Sequence, residues 1–416
     1  MQRLRTFPAT ATTLPGVLKM ALWPLVVLTV LHRVVILAPQ GSRTNDFGPV
    51  WEAARAFIER RAVYTADFNS VEPHYLYPPS GSLLMSPLGL INYEWSRWLF
   101  IGVNTAAVII AALLLLRLFG YGLSSAAAPA LLLALFFSES VSNTLVFTNV
   151  NGVILLLQVL FIALLIARKD LWAGVPIGLA VAIKPVLAPL LLLPLLQGRW
   201  RPLVASIGIP AVLTALAWPI AADPMDYIRR TVPYLTETRD YFNSSISGVG
   251  LYYGVPDWLT WIIRLGVAAM VLVIIYLLWR YYRDDPLMYL GTGSGVLLAG
   301  SFLLGSLGQQ YYSMLLLPLL ITVLLPNSVM RNWPVWVAVY LFASFDSWYS
   351  TRFKLTGETL QYLRGTVGWT LLIVVVFTVL LNRYLVARAE GRLDEGIDPP
   401  ELRRVPTAAA GSTVES

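Results

Sequence analysis

The sequence predicts an all-α, polytopic membrane protein, and three observations carry that reading. Apolar runs of about 20 residues, the length a helix needs to cross a hydrocarbon core, recur along the whole chain. Hydrophobic residues make up 57% of the 416 residues and charged residues only 13%. The mean hydropathy of +0.67 fits no soluble domain. A membrane β-barrel would alternate polar and apolar residues with period two, and these runs do not.

The first expected span covers residues 20–38. Arg3, Arg5 and Lys19 precede it, and no small-residue cleavage site follows it directly, as in a retained signal-anchor. A polar and amphipathic segment, residues 39–95, comes next and is far longer than an ordinary connection. Further spans are expected at 96–117, 122–140, 149–167, 171–184, 185–198, 202–221, 257–280, 286–306, 309–326, 333–347 and 365–383, for about twelve crossings. Residues 222–256 form a second long loop. The chain thus divides into a cytoplasmic N-terminal segment 1–19, a transmembrane domain 20–385, and a polar, partly disordered cytoplasmic tail 386–416.

Residues 171–198 read either as one kinked helix or as two short ones meeting at Lys184-Pro185, because proline breaks the helical ladder. Charge decides between them. Arg117, Arg168, Lys169, Arg199, Arg201, Arg280, Arg283 and Arg331 all fall on one side only if 171–198 is a hairpin. Basic short loops face the cytoplasm, so both termini are expected there, in the plasma membrane, with both long loops outside. The net charge of +7 is accordingly assigned to orientation and lipid contact, not to nucleic acid. With no cysteine there is no disulfide, thiol nucleophile or Cys-zinc site, and two histidines (His32, His74) make a poor metal cluster.

The residues able to do chemistry gather on the outer side. Asp46 precedes a stretch in which Val50, Trp51, Ala54, Phe57 and Ile58 recur at helical spacing opposite Glu52, Arg55, Glu59 and Arg60. That pattern predicts an amphipathic helix along the membrane surface. Asp46 suits either an N-cap of that helix, a role open to Thr44 or Asn45 as well, or an acid–base group. His74-Tyr75-Leu76-Tyr77-Pro78-Pro79 reads as an extended segment turning at the prolines, with His74 a hydrogen-bonding position. Asn149 and Asn151, at the outer entry to a span, suit helix capping or sugar and phosphate binding. Lys184, at a helix break among apolar residues, is costly without an anionic partner, unless it snorkels to the interface. Arg60, Arg61 and Arg239 suit anionic ligands or ion pairs, and Gln309 to Tyr312 open another span from the same side.

Together the strings TNDFGPV (from Thr44), HYLYPPSG (from His74), NTLVFTNVNG (from Asn143), Ile183-Lys184-Pro185, TRDYFNSSI (from Thr238) and QQYYSMLLLPLL (from Gln309) resemble the GT-C superfamily of membrane glycosyltransferases. Within it they look like the branch of actinobacterial arabinofuranosyl- and mannosyltransferases, over nearly the whole chain. The resemblance implies decaprenylphosphoryl-β-D-arabinofuranose as donor and the 3-OH of arabinan in arabinogalactan and lipoarabinomannan as acceptor. A β-phosphoryl donor giving an α-(1→3) branch implies inversion, with Asp46 as general base. Lys184, with Arg239 or the Arg60/Arg61 pair, would bind the donor phosphate. His74, Tyr77, Asn149, Asn151, Gln310 and Tyr312 would complete the phosphate and sugar site. No second carboxylate adjoins Asp46, so no metal cofactor is expected. A polyprenyl-phosphomannose mannosyltransferase and a polyprenyl-lipid flippase are the rival readings; the collection of polar residues at one face argues against transport.

Overall fold

The computed structural model describes residues 14–40 and 46–402. The expectations for Arg3, Arg5, Thr44, Asn45 and the tail after Leu402 lie outside those residues. Among the described residues the chain is helical without strands, apart from one isolated bridge between Ala62 and Ala222.

Helix α1 (Leu14–Leu31) continues as a π-turn and a 3-10 turn to Gln40. Then come α2 (Phe47–Ile58), α3 (Pro79–Met85), α4 (Tyr93–Leu118), α5 (Ala127–Phe137), α6 (Glu139–Val146), α7 (Asn151–Ile166) and α8 (Asp170–Ile183). A 3-10 segment leads into α9 (Leu192–Leu196), followed by α10 (Arg201–Ala217), α11 (Val232–Thr236), α12 (Ile246–Tyr253), α13 (Asp257–Tyr281) and α14 (Pro286–Leu304). The chain closes with α15 (Leu317–Leu320), flanked by 3-10 turns, then α16 (Trp333–Ala343) and α17 (Lys354–Ala389). Every run expected to span is helical. Five helices (α1 with its continuation, α4, α13, α14 and α17) are long and apolar enough to cross a membrane. The pair α5–α6, bent by 60° at Ser138, makes a sixth if counted as one span.

The segments run alternately between two ends. One end collects the basic loops. There Arg199 Nε donates to both carboxylate oxygens of Asp170 at 3.1 Å, Gln197 bonds the Arg283 carbonyl, and Arg383 meets Asp398 at 2.9 Å. The Arg199–Asp170 pair closes 171–198 at its base, so this stretch is a hairpin. Lys184 sits at its tip in extended conformation (φ −153°, ψ 116°), as the following proline requires.

Close helix packing rests on small residues, as is usual where lipid removes the hydrophobic drive. Gly174 and Gly178 on α8 face α10 so tightly that a Cβ on Gly174 would lie 2.1 Å from the Pro202 carbonyl. Gly291 and Gly295 on α14 do the same against Pro318 and Leu319.

Of the apolar stripe of α2, Val50, Ala54 and Phe57 are buried, with Gly89 abutting the Ala54–Arg55 backbone, while Ile58 is 39% exposed. The buried part of the stripe is covered by the chain's own return through 79–90, which the sequence pattern alone could not assign. Of the tail expected to be partly disordered from 386, the described part reaches Leu402. Helix α17 runs unbroken to Ala389, Ile397 is buried, and Asp398 accepts from Arg383 and Asn327. Polar composition there reflects an ion-paired docking site and not solvation.

Candidate active site

At the end opposite the basic loops lies a cavity of about 1040 Å³. Its walls come from the start of α2, the 71–77 segment, α6, the α6–α7 turn, the tip of the 171–198 hairpin, the 235–244 loop, the end of α14, the Gln309–Tyr312 turn and the α16–α17 connection. Asp46 enters it from the first loop. Its backbone N–H donates to the Phe147 carbonyl at 2.7 Å, and its side chain makes no capping bond to α2. The carboxylate is therefore free to face the cavity, where Asn149 Nδ2 approaches Oδ2 at 3.5 Å.

Lys184 faces the same space. Its ammonium stands 4.3 Å from the centre of the Tyr312 ring and 5.9 Å from that of Tyr311, a cation over aromatic faces. The Tyr311 hydroxyl lies within reach of both Gln309 Oε1 and the Asp46 carboxylate. Asp46 sits in the loop and not in a membrane-spanning helix. Burial pushes its pKa up to about 6, against the opposing pull of Lys184, Asn149 and Tyr311. At neutral pH it is mostly an anion, poised to take a proton.

Local structure explains why these groups converge. The Pro78-Pro79 pair starts α3, and Ser80 Oγ donates to the Ala182 carbonyl at 2.8 Å, satisfying the exposed end of α8 just before Lys184. A Cβ at Gly81 would come within 2.8 Å of Tyr77 Cβ and 3.3 Å of the Ala182 carbonyl, so glycine permits this docking. Arg97 binds the Ala38 carbonyl at 2.9 Å and Thr148 Oγ1 at 3.3 Å, tying together the two stretches that flank Asp46.

The other anticipated residues divide. Arg239 lines the cavity, held over Tyr234 and bonded to its hydroxyl at 3.0 Å, with its Nε buried and unpartnered. His74, Tyr77, Asn149, Gln310 and Tyr312 also line it. His74 Nε2 is paired with the Ser70 carbonyl at 3.1 Å and its ring packs edge-on against Phe68 and Tyr234. Arg60, Arg61 and Asn151 are not among the lining residues. Arg60 and Arg61 are exposed, and Arg61 pairs with Glu59 at 2.7 Å. Asn151 is fully buried at the start of α7, where its N–H donates to Asn149 Oδ1 at 3.2 Å.

Sequence reasoning missed Glu139 and Arg364, which line the same cavity together with Asn143, the first residue of the NTLVFTNVNG string. The available signal was an acid at the edge of an apolar run, which is costly without a role. Among the described residues, no group of three or more His, Asp or Glu side chains is placed to hold a metal ion.

Residues 75–306 match Glycosyltransferase family 87. A Mycobacterium tuberculosis protein named alpha-(1->3)-arabinofuranosyltransferase is 52% identical over 399 residues, covering 95% of this chain and 91% of that protein. Proteins of the same name from Mycolicibacterium smegmatis and Corynebacterium glutamicum are 51% and 42% identical, over 97% and 86% of this chain and 94% and 86% of their own lengths.

Proposed function

Since the chain belongs to glycosyltransferase family 87, we propose that it is an inverting arabinofuranosyltransferase that forms α-(1→3) branches. The donor is decaprenylphosphoryl-β-D-arabinofuranose and the acceptor is the 3-OH of an arabinan chain. The observation that carries the reading is the uncapped Asp46 carboxylate facing a large cavity, with Lys184 within its field. In the reaction, Asp46 takes the proton of the acceptor hydroxyl as the oxygen attacks the anomeric carbon. The bond to the donor phosphate breaks on the opposite side, and the phosphate leaves as an anion with the bonding electron pair. A phosphate monoester needs no proton at neutral pH to leave, so Lys184 and Arg239 supply charge stabilisation. Asn149 holds the carboxylate in position.

The shorter apolar helices α7, α8, the 185–196 return, α10, 310–324 and α16 complete a bundle of about twelve crossings, with α2 at the interface. The cavity then opens to the outside, because the basic loops gather at the other end. No metal takes part, so EDTA leaves the rate unchanged.

The decisive assay uses purified protein in lipid with labelled decaprenylphosphoryl-arabinofuranose and, separately, labelled polyprenyl-phosphomannose. Arabinose transfer in the α-(1→3) linkage, lost by about 100-fold or more in Asp46→Asn, is expected. Transfer of mannose instead, or undiminished turnover by Asp46→Asn, would overturn the proposal.

A further inference from the structure

The cavity holds a second polar cluster that the chemistry at Asp46 does not use. The bend at Ser138 turns α6 so that Glu139, in its first turn, faces the cavity. Only 7% of Glu139 is exposed; Asn143 Nδ2 donates to its Oε1 at 2.5 Å, and its Oε2 is buried without a partner. Arg364, from α17, is equally buried. Its Nη1 donates to the Ser344 and Asp346 carbonyls at 3.0 and 2.8 Å, while its Nε–H is buried and unpartnered. Glu139 and Arg364 line the same cavity. A carboxylate oxygen and a guanidinium N–H, both without a partner and both on one cavity wall, fit a neutral ligand that can donate to one and accept from the other. A sugar bearing neighbouring hydroxyls is such a ligand.

We propose that Glu139, Asn143 and Arg364 form a subsite for a sugar residue of the acceptor glycan, a deepening that rests on the transferase reading above. Location supports acceptor over donor. The anionic end of the donor belongs at Lys184 and Arg239. The wall with Glu139 and Arg364 also carries exposed aromatic rings from the α16–α17 connection: Phe345 is 46% and Tyr349 67% exposed. Such faces suit the C–H surfaces of a glycan arriving from water. The length of α6 separates Glu139 from Phe147, whose carbonyl holds Asp46, by roughly 12 Å of helix axis. The subsite therefore grips not the reacting sugar but another residue of the same glycan, and the enzyme favours longer acceptors.

The test compares synthetic arabinofuranosides of one and of four residues as acceptors for the purified protein in lipid. In Glu139→Gln, KM for the four-residue acceptor is expected to rise about tenfold or more. KM for the donor and for the single-residue acceptor should stay unchanged. Tyr349→Ala, at an exposed position that folding does not need, should raise the same KM without touching the donor's. Unchanged acceptor KM in both variants, or an equal rise for donor and acceptor, overturns the subsite. Should Glu139→Gln not fold, saturation-transfer NMR of the four-residue acceptor on the Asp46→Asn protein decides: contact signals along several residues support it, and signals from one residue only refute it. Wild-type protein that binds the glycan but transfers no arabinose would sink the transferase reading and leave the subsite standing.

Discussion

At Asp46, burial and charge oppose one another: removal from water favours the protonated acid, while Lys184, Asn149 and Tyr311 favour the anion. The proposed base must be deprotonated to act, and burial raises the Asp46 pKa above the usual carboxylate value to about 6. Activity should therefore fall as pH drops through 6, on a single acid limb. Lys184→Met removes a group that lowers that pKa, so the limb should move to higher pH, a displacement readable even if the rate falls for other reasons. A limb that stays in place in Lys184→Met would separate the two residues. Asp46 and Lys184 were both legible in the sequence, because a charge next to a proline break or an amphipathic start stands out against apolar runs. Arg60 and Arg61 look as suggestive on paper. Arg61 is taken up by Glu59, a local pairing two residues away that spacing does not distinguish from a ligand site. Glu139 and Arg364 were not legible, since their placement on one cavity depends on the bend at Ser138 and on the packing of segments far apart in sequence.

Among the elements, the 171–198 hairpin brings Lys184 to the cavity at its tip. Loop charges alone predicted its turn, because every other arrangement scatters basic residues over both sides. What the charges did not reveal is how the hairpin is held, by Gly174 and Gly178 pressed against α10. A methyl group at Gly174 would lie 2.1 Å from the Pro202 carbonyl, a backbone atom that cannot swing aside. Gly174→Ala should therefore lower stability by about 1–3 kcal/mol, seen as a lower unfolding temperature in detergent. Gly208→Ala on α10, where a Cβ meets nothing within 4 Å, is the control expected to change little. The return of 79–90 over α2 was the converse case. Amphipathic spacing correctly predicted the helix there, but a stripe of Val, Ala and Phe looks the same whether lipid or protein covers it.

For the molecule as a whole, the alternation of segments between a cavity end and a basic end predicts which surfaces share a compartment. The chain contains no cysteine, so single-cysteine variants report without background. Phe242→Cys, at a 75% exposed site on the cavity rim, should react with an impermeant maleimide added to intact cells. Arg283→Cys, at the basic end, should react only after the membrane is opened. The reverse pattern would invert the topology. The docking of Asp398 on Arg383 and Asn327 has a practical corollary. From Arg364 at the cavity, helix α17 carries the chain roughly 29 Å to Arg383, where that anchor fastens it. A fluorescent or affinity module attached downstream of Asp398 thus starts out on the far side of the bundle, where it would not obstruct the mouth of the cavity.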